Sequence, residues 1–463
     1  MWKFFTSLFC VVAAIGATEA QRTDALFAAF TAPNTPGCAV GVMRDGETLY
    51  AKGHGLANLE QSVPLTPKSV FYLASVSKQF MAFAILQLER EGKLSTDDPI
   101  GRHVAGLPAH TAAVMIRQLL NHTGGVRDYL TLGATAGLSQ DHVWTEHAMM
   151  LWLARQRALN FAPGSEHLYS NSGYVLLSLA AQKVAGAKLN DWMKQKVWTP
   201  LGMNQSRWQH DHNDPIALRA SGYVSSQTQG WKVGNSMLDT VGDGGMYSSI
   251  EDMMRWAGNF DKPKLGGEFL DRMAQPGMIN DGSVIANGYG MGLSRTKYRG
   301  FDAVAHGGSL AGYRTTLFRI PAKKFTVVCL CNNGNASAIR LSRQIADIWL
   351  ETEFESAAPP ALAPVATEAA KLSAPSAAQT KMFSGNWFSP ELEAVYRIRF
   401  ADGKLLLEIG DSAPRELLAN ERGLLSPGNT GATLKIKQTG TGEADTLVLD
   451  AGRIRGIEFR KRD

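Results

Sequence analysis

The chain has 463 residues, of which 44% are hydrophobic and 19% charged, with 46 glycines; that is a globular composition rich in turns and long enough for two or three domains. Its formal net charge is only +5, and the basic residues are scattered apart from Arg460-Lys461-Arg462, which gives nucleic-acid binding little footing. Four cysteines are too few for a disulfide scaffold and lack metal-site spacing.

The first 20 residues read as a secretory signal: Lys3, an apolar run from Phe4 to Ile15, then small residues before a cleavage expected near Ala20. Phe9 before Cys10 argues against a lipoprotein box, and no later segment is apolar enough to span a bilayer. The mature protein is expected to be soluble and exported, periplasmic or secreted, with Cys38, Cys329 and Cys331 able to form at most one bridge.

Residues 22–31 predict a short helix ending before Pro33. Cys38–Met43 and Thr48–Ala51 flank Arg44-Asp45-Gly46, a D-G turn that predicts a hairpin. Ser75 and Lys78 then stand at the head of an apolar run through Leu88 that stops at Gly92, a C′ residue. On a helix, positions three apart share a face, so the lysine would lie beside the serine hydroxyl. A serine becomes a useful nucleophile only when a base takes its proton, and helix-start N–H groups can hold an oxyanion. Taken alone, S-x-x-K is common and non-specific.

Residues 145–157 predict another helix, and Val175 to Val184 a further one closed by Gly186. Tyr169 and Asn171 fall on the loop before that helix, where side chains can face a cleft; the plainer reading is that Asn171 or Ser172 caps it. His210-Asp211-His212-Asn213-Asp214 resembles a metal loop, but Pro215 follows at once and no spaced second ligand group stands near, so no metal is assigned. Gly242 to Gly245 is a tight turn, and Ser249 with Asp252 predicts a capped helix through Trp256. Strands are expected over 303–309, 315–320 and 325–331, then a helix at 339–350; the glycines after His306 would leave a strand edge open to an extended ligand.

From Ser356 to Ala378 the chain becomes Ala, Pro and Ser without periodicity, the signature of a linker. Beyond it, short alternating segments at 394–400, 405–409, 434–437, 446–449 and 454–459 predict a small antiparallel barrel or sandwich. The expected division is a signal over 1–20, a hydrolase domain over 21–355, a linker over 356–378 and a β domain over 379–463.

Ser75-x-x-Lys78, Tyr169-x-Asn171 and His306-x-Gly308 together resemble the serine β-lactamase and penicillin-binding-protein superfamily, in the branch of class C β-lactamases, D-alanyl-D-alanine carboxypeptidases, D-aminopeptidases and related esterases. The third element departs from K-T-G, with His306 for lysine and Gly307 for threonine. The resemblance covers residues 35–350, and the C-terminal segment is similar to lipocalin-like domains appended to some of these hydrolases. It implies an α+β fold, an antiparallel sheet flanked by helices and joined to a helical subdomain, with the cleft between them. It implies Ser75 as nucleophile, Lys78 and Tyr169 sharing the acid–base work, Asn171 binding the substrate amide, and Ser75 and Ser309 N–H groups as the oxyanion hole. His306 and Gly308 would shape the strand edge along which substrate lies. No cofactor is required. The implied substrate is a small molecule or peptide: a D-residue peptidase, aminopeptidase or carboxypeptidase-like activity, with a small-ester hydrolase or weak β-lactamase as alternatives and a non-catalytic sensor as the rival of another class. In this fold the first strand neighbours the last, so Cys38 is expected to bond Cys331. Because an ordinary histidine titrates near 6.5, substrates bearing a carboxylate are expected to be disfavoured at pH 7 and to gain as pH falls toward 6.

Overall fold

The structure, a computed structural model, describes residues 17–356 (except 140, 227 and 229), 372–437 (except 429) and 446–462. The expected signal thus lies almost wholly, and the linker mostly, outside the described residues.

A six-stranded antiparallel sheet forms the frame. Its strands are β1 (Cys38–Arg44), β2 (Glu47–His54), β3 (Ser294–Tyr298), β4 (Phe301–Leu310), β5 (Tyr313–Ile320) and β6 (Phe325–Cys331), in the spatial order β3-β4-β5-β6-β1-β2. The chain's first strand therefore sits beside its last, in a register that sets Cys38 opposite Cys331, and the two are bonded. Both faces of β1 and β6 are buried, which explains their unbroken apolar runs. On one face lie α1 (Glu19–Leu26) and α5 (Ala338–Trp349), and on the other α4 (Ile250–Asp261) packs on β1. The predicted helix at 22–31 is displaced: a Thr18–Gln21 capping box starts it at Glu19, and it gives way to a 3-10 turn at Ala28–Phe30.

The helical part is built round α2 (Lys78–Arg90) and α3 (Asn171–Ala185), which pack on each other. Helix α2 is buried on every side from Lys78 to Ile85, as an apolar run without a polar face requires. Ser249 caps α4 by accepting the Asp252 N–H; the Asp252 carboxylate turns to Gln205 N and Ser206 Oγ instead of closing the predicted box.

Eight strands close the C-terminal barrel: β7 (Gly385–Ser389), β8 (Ala394–Ala401), β9 (Lys404–Ile409), β10 (Arg415–Ala419), β11 (Leu425–Pro427), β12 (Thr433–Lys437), β13 (Thr446–Ala451) and β14 (Ile454–Arg462). It has its own core, to which the helical part adds Leu132. The barrel is fastened to the helical part by a buried Arg127–Glu391 ion pair, by Tyr396 donating to the Thr135 carbonyl (2.6 Å), and by Asn160, which bonds both Arg453 O and Arg455 N. Among the described residues, no helix is long and apolar enough to cross a membrane.

Candidate active site

Ser75 is not the first residue of a long helix but the second of a 3-10 turn, Ala74–Ser77, from which α2 runs on. It caps nothing. The turn is bent into place by Ala74, buried at a left-handed φ of 48°, a conformation that costs a side-chain-bearing residue about 1–3 kcal/mol. Two bonds to Leu73 hold it: its N–H donates to Met246 O (2.8 Å) and its carbonyl accepts from Thr315 Oγ1 (2.6 Å).

Lys78 is fully buried, and its Nζ donates to Asp243 O (2.6 Å), Asn171 Oδ1 (2.9 Å) and Ser75 Oγ (3.3 Å). Burial lowers its ammonium to about 7, against the opposing pull of Asp243. A neutral amine keeps two donors for the two shorter contacts and turns its lone pair to the longest one, the serine. Asp243 was legible only as part of a glycine turn; its carbonyl proves to be the strongest anchor of the base. Burial also raises its carboxyl, which accepts from Tyr129.

Tyr169 is half-buried, but its hydroxyl is fully so and has no partner of good hydrogen-bond geometry, although Ser75 is near enough to favour its ionised form. Burial wins and pushes the phenol well up, so it is a proton donor rather than a base. The ring faces Lys78 Nζ at 4.9 Å and packs, tilted by 35°, against His122 with 4.1 Å between ring centres. Asn171 opens α3, where its N–H donates to Asp128 (2.7 Å) and its side chain reaches Lys78. Neither Asn171 nor Ser172 caps the helix as the plainer reading held: Ser172 Oγ instead donates to Arg127 O (2.7 Å).

His306 is 9% exposed, with Nδ1 2.7 Å from Gly307 O and Nε2 3.2 Å from the Tyr289 hydroxyl. A carbonyl only accepts, so Nδ1 carries the proton and Nε2 accepts from Tyr289. Burial lowers the imidazole to about 4, with Lys78 adding to the effect. This corrects the expectation of a gain for carboxylate substrates near pH 6: His306 stays neutral there.

Gly308 lets β4 lie against the serine turn, since a Cβ there would sit 2.4 Å from Leu73 O. The β3–β4 ladder ends at Ser294–Ala305, so from His306 to Leu310 the edge of β4 away from β5 has no partner strand among the described residues. Ser75, Tyr169, His306, Gly308 and Ser309 line one cavity of about 400 Å³, with Lys78 and Asn171 beneath. Arg453, from the barrel, lines it too; no residue pattern pointed to it.

Elsewhere, Asp239 supplies the distant neighbour that the His210–Asp214 loop lacked, hydrogen-bonded to His212 Nδ1 at 3.0 Å with Asp211 alongside.

The Beta-lactamase family model matches residues 23–348. A D-aminopeptidase of Gluconobacter oxydans (strain 621H) is 27% identical over 321 residues, 69% of this chain; the match spans 60% of that relative's length. A D-aminopeptidase of Cereibacter sphaeroides (strain ATCC 17023) is 26% identical over 440 residues, covering 91% of this chain and 79% of its own. The octameric penicillin-binding protein homologue from Pyrococcus abyssi shares the fold with a TM-score of 0.63 over 95% of this chain and 99% of that one, at 21% identity. The chain belongs to the Beta-lactamase family, and it shares its fold with that penicillin-binding protein homologue and ends in a closed β-barrel.

Proposed function

We propose that the protein hydrolyses amide or ester bonds of small D-residue peptides or related compounds through an acyl-enzyme on Ser75. The observation that carries this is the contact of Ser75 Oγ with a buried Lys78 whose ammonium burial lowers to about 7. Lys78 takes the Oγ proton as the Oγ–carbonyl bond forms. Tyr169 gives its proton to the leaving nitrogen or oxygen as that bond breaks, and is reprotonated from Lys78. The Ser75 and Ser309 N–H groups stabilise the oxyanion, and Asn171 holds the substrate amide. Water then attacks the acyl carbonyl, with the same groups acting in reverse. D-residue substrates are supported by the D-aminopeptidase relatives. Beyond Ser309 a second cavity of about 350 Å³, lined by Leu130, Leu138, Trp144, Leu238 and Leu310, suits an apolar substrate side chain. Export belongs to the same reading, supported by the basic and apolar N-terminus and by a disulfide that oxidising compartments favour.

The test is labelling by a fluorophosphonate together with a panel of D-amino-acid amides, acyl-D-Ala-D-Ala peptides, nitrocefin and p-nitrophenyl esters. Wild type should be labelled and turn over at least one of them, and Ser75→Ala should do neither. A wild-type protein that resists the probe and every substrate would be a sensor, not an enzyme.

A further inference from the structure

The third motif has lost its cation: His306 is neutral and both its nitrogens are engaged. The barrel brings another. Arg453 lies at the β13–β14 hairpin, which is fixed to the helical part on several sides. Asn160 Nδ2 donates to Arg453 O (2.9 Å), Asn160 Oδ1 accepts from Arg455 N (2.8 Å), Arg455 pairs with Glu166 (2.8 Å), and Arg127 donates to Arg455 O (2.8 Å). From this mount the Arg453 side chain reaches the cavity that holds Ser75, its guanidinium carbon 4.5 Å from the centre of the Tyr169 ring.

Three observations show that this guanidinium has N–H donors to spare. It makes no hydrogen bond among the described residues. Its nearest acid, Asp128, is 3.8 Å away and already accepts from Asn171 N, Thr131 N and Thr131 Oγ1 at 2.7–2.9 Å. And 42% of the side chain remains exposed. The other arginine of the cavity, Arg314, turns its Nη1 to the carbonyls of Ala311 and Tyr313 (2.9 and 2.7 Å). Among the described residues no carboxylate lines the cavity, and Ser337 at the N-terminus of α5 forms part of its wall, so a helix dipole adds to the positive field. A guanidinium fork presents paired N–H donors that match a carboxylate.

We propose that Arg453 is a specificity-determining, substrate-binding residue that pairs with a free carboxylate of the substrate, so that the barrel completes the active site. The proposal rests on the hydrolase reading above and narrows it. Among D-residue substrates, it selects peptides with a free C-terminal carboxylate over those recognised by a free amine, which this cavity would repel. It also reverses the expectation drawn from His306 that carboxylates are disfavoured: the missing charge is supplied from another part of the chain.

The experiment compares kcat/KM for an N-acyl-D-alanyl-D-alanine and for its C-terminal amide, in full-length wild type, R453A, R453K and R453E. A charged hydrogen bond of this kind is worth about 10–100-fold, so wild type should favour the acid over the amide by that factor. R453A should bring the ratio near one, R453K should keep part of it, and R453E should invert it. The same ratio is read as protection of Ser75 from fluorophosphonate, which needs binding and not turnover. An unchanged ratio in both R453A and R453E, in protein still labelled at Ser75, overturns the proposal and leaves the hydrolase reading standing. Loss of labelling in wild type overturns the hydrolase reading itself, and the substrate assignment with it.

Discussion

Gly308→Ala tests whether the strand edge and the nucleophile form one rigid unit. The added Cβ would sit 2.4 Å from Leu73 O, 2.2 Å from Thr315 Oγ1 and 3.1 Å from Ala74 Cβ. Ordinary contact begins near 3.4 Å, so against Leu73 the backbones must part by about 1 Å (3.4 − 2.4). Leu73 O cannot yield alone: it accepts the Thr315 hydroxyl, and it begins the turn that carries Ser75. Overpacking of this kind costs about 1–3 kcal/mol of stability. A shift of about 1 Å between reacting groups costs roughly 100-fold in rate. Gly307→Ala is the companion variant, because its Cβ would meet Ile339 Cδ1 at 2.8 Å, the tip of a side chain that is 47% exposed and can swing away. Acylation by a p-nitrophenyl ester and thermal unfolding should therefore show a large loss for Gly308→Ala and a much smaller one for Gly307→Ala. Equal losses, or a Gly308→Ala protein with wild-type rate and stability, would refute the reasoning.

The pH profile should follow Lys78. The neutral amine is the active form and burial lowers it to about 7, so kcat/KM for a neutral ester should rise with pH through neutrality and level off above it, not climb toward 10. For the cysteines, mass spectrometry of non-reduced protein should find the Cys38–Cys331 bridge and a free thiol at Cys329. That thiol is buried and pushed up to about 12, so a maleimide should modify it only after unfolding.

What was legible in the sequence was local. Ser75 and Lys78 stand three apart at a helix start, where spacing sets the two side chains side by side, whereas Tyr169 and Asn171 drew their roles from the family resemblance. The strands at 315–320 and 325–331 stand out as β-branched and aromatic runs either side of the Pro321–Lys324 turn, and these two and the strand at 303–309 all occur close to the expected bounds. Asn171 was open to a capping role because a residue before a helix can satisfy either the backbone or a neighbour, and only the arrival of Lys78 from α2 decides between them. Strands β7, β10 and β11 escaped notice: they are three to five residues long, too short to show alternation, and Pro427 and Gly385 mask two of them. Asp243 contributes through its carbonyl, which every residue has. Arg453 is one arginine among many in a β-rich segment, and only the docking of the barrel gives it a meaning.

The pairing of β1 with β6 also has a cost in time. The bonded cysteines are 293 residues apart, so at synthesis rates of about 5–20 residues per second the N-terminal hairpin waits roughly 15–60 s for its neighbour to emerge. Through that interval one edge of β1, apolar on both faces, lies open to misassociation. The barrel has the opposite history, since each of its strands pairs with the next in the chain and only the β7–β14 seam is distant. The part made last is thus the part fitted to fold fastest, while the part made first depends on protection until its sheet can close.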